Sequence, residues 1–123
     1  MKPVKPTHFR VKITLKKINR PIGTIGLYKY SSIHKRAEIG YDLLREYWGN
    51  GYATEAVIEI LRYGFNVLDL VRVEATVDSE NSASIRVLEA CGFSLEGKQR
   101  NKYFYKGSWH DELFYGILSE EFY

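Results

Sequence analysis

Tyr47-Trp48-Gly49-Asn50-Gly51-Tyr52-Ala53-Thr54-Glu55-Ala56 is the stretch on which the fold turns. Its first half is too rich in glycine for either regular element. From Ala53 the pattern changes: Ala53, Ala56, Val57, Ile60, Leu61, Gly64, Phe65 and Leu68 recur at three- and four-residue steps, the apolar stripe of an amphipathic helix. Glu55 falls in the first turn, where a negative charge suits the helix dipole. Upstream, Ala37, Ile39, Tyr41 and Leu43 alternate with polar or small residues, as a half-buried strand requires. Downstream, after an interruption at Asp69, Val71, Val73, Ala75 and Val77 alternate in the same way. Strand, helix and strand within about forty residues make a βαβ unit, so the two strands are expected to be parallel with a right-handed crossover.

Outward from this unit the chain remains regular. Phe9-Arg10-Val11-Lys12-Ile13-Thr14-Leu15-Lys16 alternates without a break. Asn19-Arg20-Pro21 punctuates, and Ile22-Gly23-Thr24-Ile25-Gly26-Leu27-Tyr28 resumes, so the two runs predict an antiparallel hairpin. Beyond the βαβ unit, Asp78-Ser79-Glu80-Asn81 reads as a turn and Ser82 to Ala90 as a short helix, with Asn81 as N-cap and Gly92 as its stop. Phe93 to Leu95, Tyr103 to Tyr105 and Trp109 to Leu118 read as strands, with a tight turn at Lys106-Gly107. With no repeat, linker or low-complexity tract, residues 1–123 are expected to form one mixed α/β domain, mostly antiparallel around the parallel pair.

Composition narrows the function classes. A net charge of +3 and a pI near 8.9 suit an anionic ligand, but the basic residues are scattered and argue against nucleic acid. Cys91 is the single cysteine, so no intramolecular disulfide can form and a reducing, cytoplasmic setting is expected. His8, His34 and His110 stand apart, and no Cys/His cluster has zinc-ligand spacing, so no metal is expected. No signal peptide or membrane-spanning run is apparent.

A glycine-rich turn entering a helix presents unpaired backbone N–H groups, and the helix dipole adds partial positive charge. Such a turn holds phosphate or pyrophosphate, although many are only turns. Tyr52-Ala53 stands where a P-loop needs Lys-Ser/Thr, and Thr54 or Glu55 where a dinucleotide fold needs its last glycine.

The wider context supplies more. Glu38-Ile39-Gly40-Tyr41, then Tyr47 to Ala56, then Asn81-Ser82-Ala83-Ser84-Ile85-Arg86-Val87-Leu88 running into Cys91-Gly92-Phe93, and finally Glu96-Gly97, Arg100 and Asp111 together resemble the Gcn5-related N-acetyltransferase (GNAT) superfamily. Within it they look most like the RimJ/RimL branch that modifies ribosomal-protein N-termini. The resemblance spans about Ile25 to Leu118. Trp48 stands where the superfamily usually has Gln or Arg, a replacement common in this branch. The family ordinarily begins with a further strand and two helices, which form one wall of the acceptor cleft. Their absence before Phe9 is expected to leave apolar sheet surface exposed and to favour a homodimer.

The resemblance implies acetyl-CoA as co-substrate and acetyl transfer to a primary amine, a protein N-terminus or a small amine, by direct attack in a ternary complex. The alternative is a non-catalytic coenzyme-A-binding module, or a remnant that has lost its acceptor half. By resemblance, main-chain N–H groups of Trp48, Gly49, Asn50, Gly51, Tyr52 and Ala53 hold pyrophosphate, with Thr54 completing the cofactor loop. Leu43 and Leu44 bond pantetheine through their main chain. Asn81 and Ser84 face the pantetheine arm and thioester, and Arg86 reaches the phosphates. For catalysis, Glu38 is the candidate base, with Asp42 second on the same face, and Tyr105 or Tyr103 is the candidate acid for the departing thiolate. Ser84 orients a water or the leaving sulfur. Deprotonating a lysine (pKa about 10.4) near neutral pH costs about 4 kcal/mol, whereas an α-amine (about 7.7–8.0) costs about 1 kcal/mol. An N-terminal acceptor therefore asks little of the base.

Overall fold

The computed structural model describes residues 9–122. The elements follow in the order β1 (Phe9–Leu15), β2 (Arg20–Ser31), β3 (Arg36–Leu43), α1 (Tyr52–Asn66), β4 (Arg72–Asp78), α2 (Ser82–Ala90), β5 (Ser94–Tyr105) and β6 (Ser108–Leu118). One six-stranded sheet has the order β1-β2-β3-β4-β6-β5, antiparallel throughout except at β3 and β4. The expected hairpin, βαβ unit and second helix are all present. Among the described residues no helix is long and apolar enough to cross a membrane.

Both helical crossovers step along the sheet in the same direction, so right-handedness places α1 and α2 on one face. The core confirms it. Val57, Ile60, Leu61 and Phe65 of α1 and Leu88 of α2 share one buried cluster with Ala37 and Ile39 of β3, Val73, Ala75 and Val77 of β4, and Tyr115 and Ile117 of β6. The alternate residues of the strands form the opposite, polar face. There Arg10 reaches Asp42 (3.5 Å), Lys29 reaches Glu38 (3.3 Å), and Arg72 joins Glu74 (3.4 Å) and Glu96.

The parallel pairing is brief. Arg36, Ala37 and Glu38 lie against Arg72, Val73 and Glu74, and no further pair follows. Beyond Glu38, β3 continues on β2 as far as Leu43, while β4 continues on β6 as far as Asp78. The sheet therefore splits into two halves that diverge from Glu38 and Glu74.

Two boundaries differ from expectation. Where two short strands were expected, β5 runs unbroken from Ser94 to Tyr105, with register shifts after Leu95 and Gln99 and with Asn101 at φ 48°. It is an edge strand and mostly exposed, so it needs no apolar alternation and its bulged middle reads as a loop. Phe93 lies outside it, buried just beyond Gly92. Loss of the wholly buried Leu61 tests the shared core: Leu61→Ala should lower the unfolding free energy by about 2–5 kcal/mol in urea titration, without changing far-UV circular dichroism.

Candidate cofactor cleft

The divergence of β3 from β4 opens a cleft of about 530 Å³ on the helix side. Tyr41, Asp42 and Leu43 line it from β3, Tyr47 to Gly49 and Gly51 to Thr54 from the following loop and helix start, and Asn81, Ser84 and Arg86 from α2 and its N-cap.

The loop is held by its own polar groups. Leu44 N–H donates to Ile22 C=O (2.8 Å), and its C=O accepts from Tyr47 N–H (2.9 Å). Trp48 N–H donates to Arg45 C=O (3.1 Å), and its indole Nε1 donates to Leu43 C=O (2.7 Å). The Asn50 amide donates to the carbonyls of Tyr47 (3.3 Å) and Trp48 (3.1 Å). The Arg45 guanidinium lies 5.5 Å from the centre of the Trp48 ring and covers it. Gly49 and Gly51 sit at φ 77° and 80°, where side chains are strained, and a Cβ on either would meet nothing within 4 Å.

These bonds leave a consecutive run unused. Gly51 caps α1 without a side chain, and the first helical bond is Glu55 N–H to Gly51 C=O (3.0 Å). Among the described residues, the N–H groups of Gly49, Asn50, Gly51, Tyr52, Ala53 and Thr54 therefore find no protein acceptor. A helix start with six free donors and a positive dipole end is suited to a pyrophosphate.

Across the cleft, the Tyr41 hydroxyl and Ser84 Oγ lie 3.0 Å apart and tie β3 to α2. Burial raises the Tyr41 pKa; the Ser84 hydrogen bond opposes this and Cys91 adds slightly to it. Asn81 Oδ1 accepts from Ser84 N–H (3.1 Å), the N-cap bond of α2.

The sequence matches the family described as Acetyltransferase (GNAT) domain over residues 3–94. The chain belongs to the GNAT family. An uncharacterized N-acetyltransferase of Bacillus licheniformis is 41% identical over 92% of this chain and 64% of its own length. A putative ribosomal N-acetyltransferase of Bacillus subtilis, YdaF, is 35% identical over 80% of this chain and 54% of its own length. The crystal structure of spermidine N-acetyltransferase from Vibrio cholerae in complex with CoA and spermine superposes with a TM-score of 0.88 at 27% identity, covering 94% of this chain and 68% of that one. The chain thus spans between about half and two thirds of the length of such curated relatives.

Within this GNAT domain the expected site residues separate into groups. Gly49, Asn50, Gly51, Tyr52, Ala53, Thr54, Asn81, Ser84 and Arg86 converge on the cleft or its loop, and Arg86 is exposed at the rim. Trp48 and Leu44 need correcting. Both are at the site, but their main-chain N–H groups are committed to Arg45 and Ile22, because the turn at Arg45–Tyr47 closes on itself. Leu43 keeps the expected orientation: with Leu44 bonded to β2, strand alternation turns the Leu43 N–H toward the open edge. The Glu38 and Asp42 carboxylates are paired to Lys29 and Arg10 on the opposite face, and Asp42 also borders the cleft.

Tyr105 also needs correcting. It ends β5 at the hairpin turn against Ser108 and packs on His110, outside the cleft, and Tyr103 stacks on the same histidine. The tyrosine whose hydroxyl spans the cleft to Ser84 is Tyr41, for which the sequence suggested no role. A signal was present, because Tyr41 shares the alternation of the buried Ala37 and Ile39, and a tyrosine on an apolar face needs a partner for its hydroxyl.

Cys91 is buried, with Sγ 3.7 Å from the Thr54 carbonyl, and burial pushes its thiol up to about 11. It is a packing residue between the helices. Alkylation by iodoacetamide should therefore rise to half its limiting rate near pH 11 in the folded chain. In urea the midpoint should fall to about pH 8.5, an unperturbed thiol.

Proposed function

We propose that this chain carries the catalytic half-site of an acetyl-CoA-dependent N-acetyltransferase acting on a primary amine. The observation that carries the reading is the run of free N–H groups from Gly49 to Thr54, facing a cleft between strands that part at Glu38. The residues fit the cofactor: the loop and helix start take the pyrophosphate, Arg86 lies beside them, and the Leu43 N–H offers the pantetheine amides a strand-like partner. Acetyl-CoA supplies the activated thioester. The complex of the Vibrio cholerae enzyme with CoA and spermine supports an amine acceptor.

The roles follow from position. Tyr41, kept protonated by burial and aligned by Ser84, holds the proton that the departing sulfur takes up. Glu38 stands on the opposite face where the strands separate, so an amine arriving from that face meets a carboxylate before the thioester. It acts as base directly or through water, with Asp42 further along the same strand. An α-amine near its own pKa needs little help from either. The RimJ-like features of the loop favour a peptide N-terminus and the spermidine enzymes favour a polyamine, so both belong in the assay.

Calorimetric titration with acetyl-CoA should show one site per chain, with no binding of ATP under the same conditions. Gly51→Asp sets a carboxylate in the open space before the loop and should abolish binding while the far-UV spectrum is retained. In steady-state assays with spermidine and with short peptides, Tyr41→Phe should lower kcat by about 10²-fold while acetyl-CoA still binds. Binding without transfer to any amine would make the chain a coenzyme-A-binding module. Absence of binding by the folded chain would remove the enzyme reading altogether.

A further inference from the structure

Away from the cleft, three side chains distant in sequence converge: Asp78 at the end of β4, Glu80 in the turn before α2, and His110 on β6. Their ligand atoms all lie within 4.8 Å of one another. His110 is the one buried polar residue among those described, 8% exposed. Its ring is fixed from two sides, by Tyr103 stacked at 5.7 Å and 4° and by Tyr105 edge-on at 5.9 Å.

The tautomer follows from the partners. His110 Nε2 lies 3.0 Å from the Tyr105 carbonyl and 3.1 Å from Ser108 Oγ. A carbonyl can only accept, so Nε2 carries the hydrogen. In the neutral ring Nδ1 is then a bare lone pair. It faces Asp78 Oδ2 at 2.7 Å and Glu80 Oε2 at 3.3 Å, and it is buried without a well-aligned hydrogen-bond partner. Three such atoms facing one another this closely call for a positive charge, either a proton on Nδ1 or a cation held between them.

We propose that Asp78, Glu80 and His110 bind a first-row divalent cation, with zinc the best fit to one imidazole and two carboxylates. Zinc bonds of about 2.0–2.2 Å to nitrogen and oxygen place adjacent ligand atoms roughly 2.8–3.5 Å apart. The Glu80 contact of 3.3 Å falls in that range, and the Asp78 contact of 2.7 Å would lengthen slightly on binding. The outer partners match as well. Metal-ligating histidines commonly donate their second N–H to a backbone carbonyl, as His110 does to Tyr105. Asp78 Oδ1 is oriented by Glu80 N–H (2.9 Å), while Oδ2 faces His110. The Glu80 side chain is 75% exposed, so water can complete the coordination. Such an ion ties the turn that starts α2 to β6, next to the Asn81 cap that positions Ser84. The site is independent of the proposed transferase activity.

The test uses the tag-free chain stripped with chelator, titrated with Zn²⁺ and with Mn²⁺ by calorimetry and followed by metal analysis and thermal melts. One Zn²⁺ per chain is expected, bound more tightly than Mn²⁺ and raising Tm. Glu80→Gln, at an exposed position that leaves folding intact, should weaken Zn²⁺ binding by at least about tenfold. Nitrogen-15 spectra should show His110 Nδ1 changing on zinc addition while Nε2 keeps its hydrogen. The proposal is overturned if the folded wild-type chain takes up no zinc, if uptake is unchanged in Glu80→Gln, or if both His110 nitrogens carry hydrogen with zinc present. The last result would identify a protonated histidine ion-paired to two carboxylates.

Discussion

Three residue pairs hold the parallel strands β3 and β4 together, and the rest of the structure depends on their parting after Glu38 and Glu74. A longer pairing would close the sheet and leave no cleft. The parting exposes a strand edge inside the fold, with polar groups that need partners. Part of that edge is satisfied within the chain, by the Trp48 indole on the Leu43 carbonyl and by the Tyr41–Ser84 contact bridging to α2. The shared core beneath α1 and α2 holds the halves at a fixed separation without a ladder between them. The opening is a rigid consequence of packing.

The loop after β3 shows how few residues such a site requires. In its first part Leu44 N–H is bonded to β2, Tyr47 and Trp48 N–H close a 3₁₀ turn, and the Asn50 side chain locks that turn to the approach of the helix. Its second part, from Gly49, leaves its backbone N–H groups unspent. Stiffness in the first part keeps the free donors of the second aimed at one place, and a site built this way loses little entropy when an anion arrives. Gly51 as N-cap contributes to both, because a serine or aspartate there would bond one of those donors itself.

Periodicity made most of the framework legible. The strand and helix stripes are long and unmixed, and Asn81 and Gly92 bracket α2 where capping chemistry expects them. The middle of β5 was illegible because an exposed edge strand obeys no burial pattern, and its bulges break what alternation there is. The cofactor loop could be read because its chemistry is local, carried by consecutive backbone groups. The acid could not. Tyr41 and Ser84 meet only because β3 swings away from β4, and no local spacing encodes that meeting. Tyr105 resembled a candidate by position in the tail, but the hairpin turn at Lys106 and Gly107 carries it to His110 instead. The Asp78–Glu80–His110 cluster was hidden for the same reason, since β4 and β6 pair across a long stretch of chain.

In the proposed reaction the two faces of the sheet divide the work of acetyl transfer. The helix face is apolar and supplies a buried tyrosine and a row of N–H donors, which favour a neutral acid and a bound anion. The other face carries Glu38, Asp42 and Glu74 among lysines and arginines, a setting in which an ammonium group can be held and relieved of its proton. Were both functions on one face, the carboxylates would stand beside the pyrophosphate and repel it. Separation by the thickness of a β-sheet removes that conflict, and the gap between the strands lets the two partners meet. On the proposed reading, the three short pairs that open the cleft also set where an amine and a thioester would meet, at the level of Glu38.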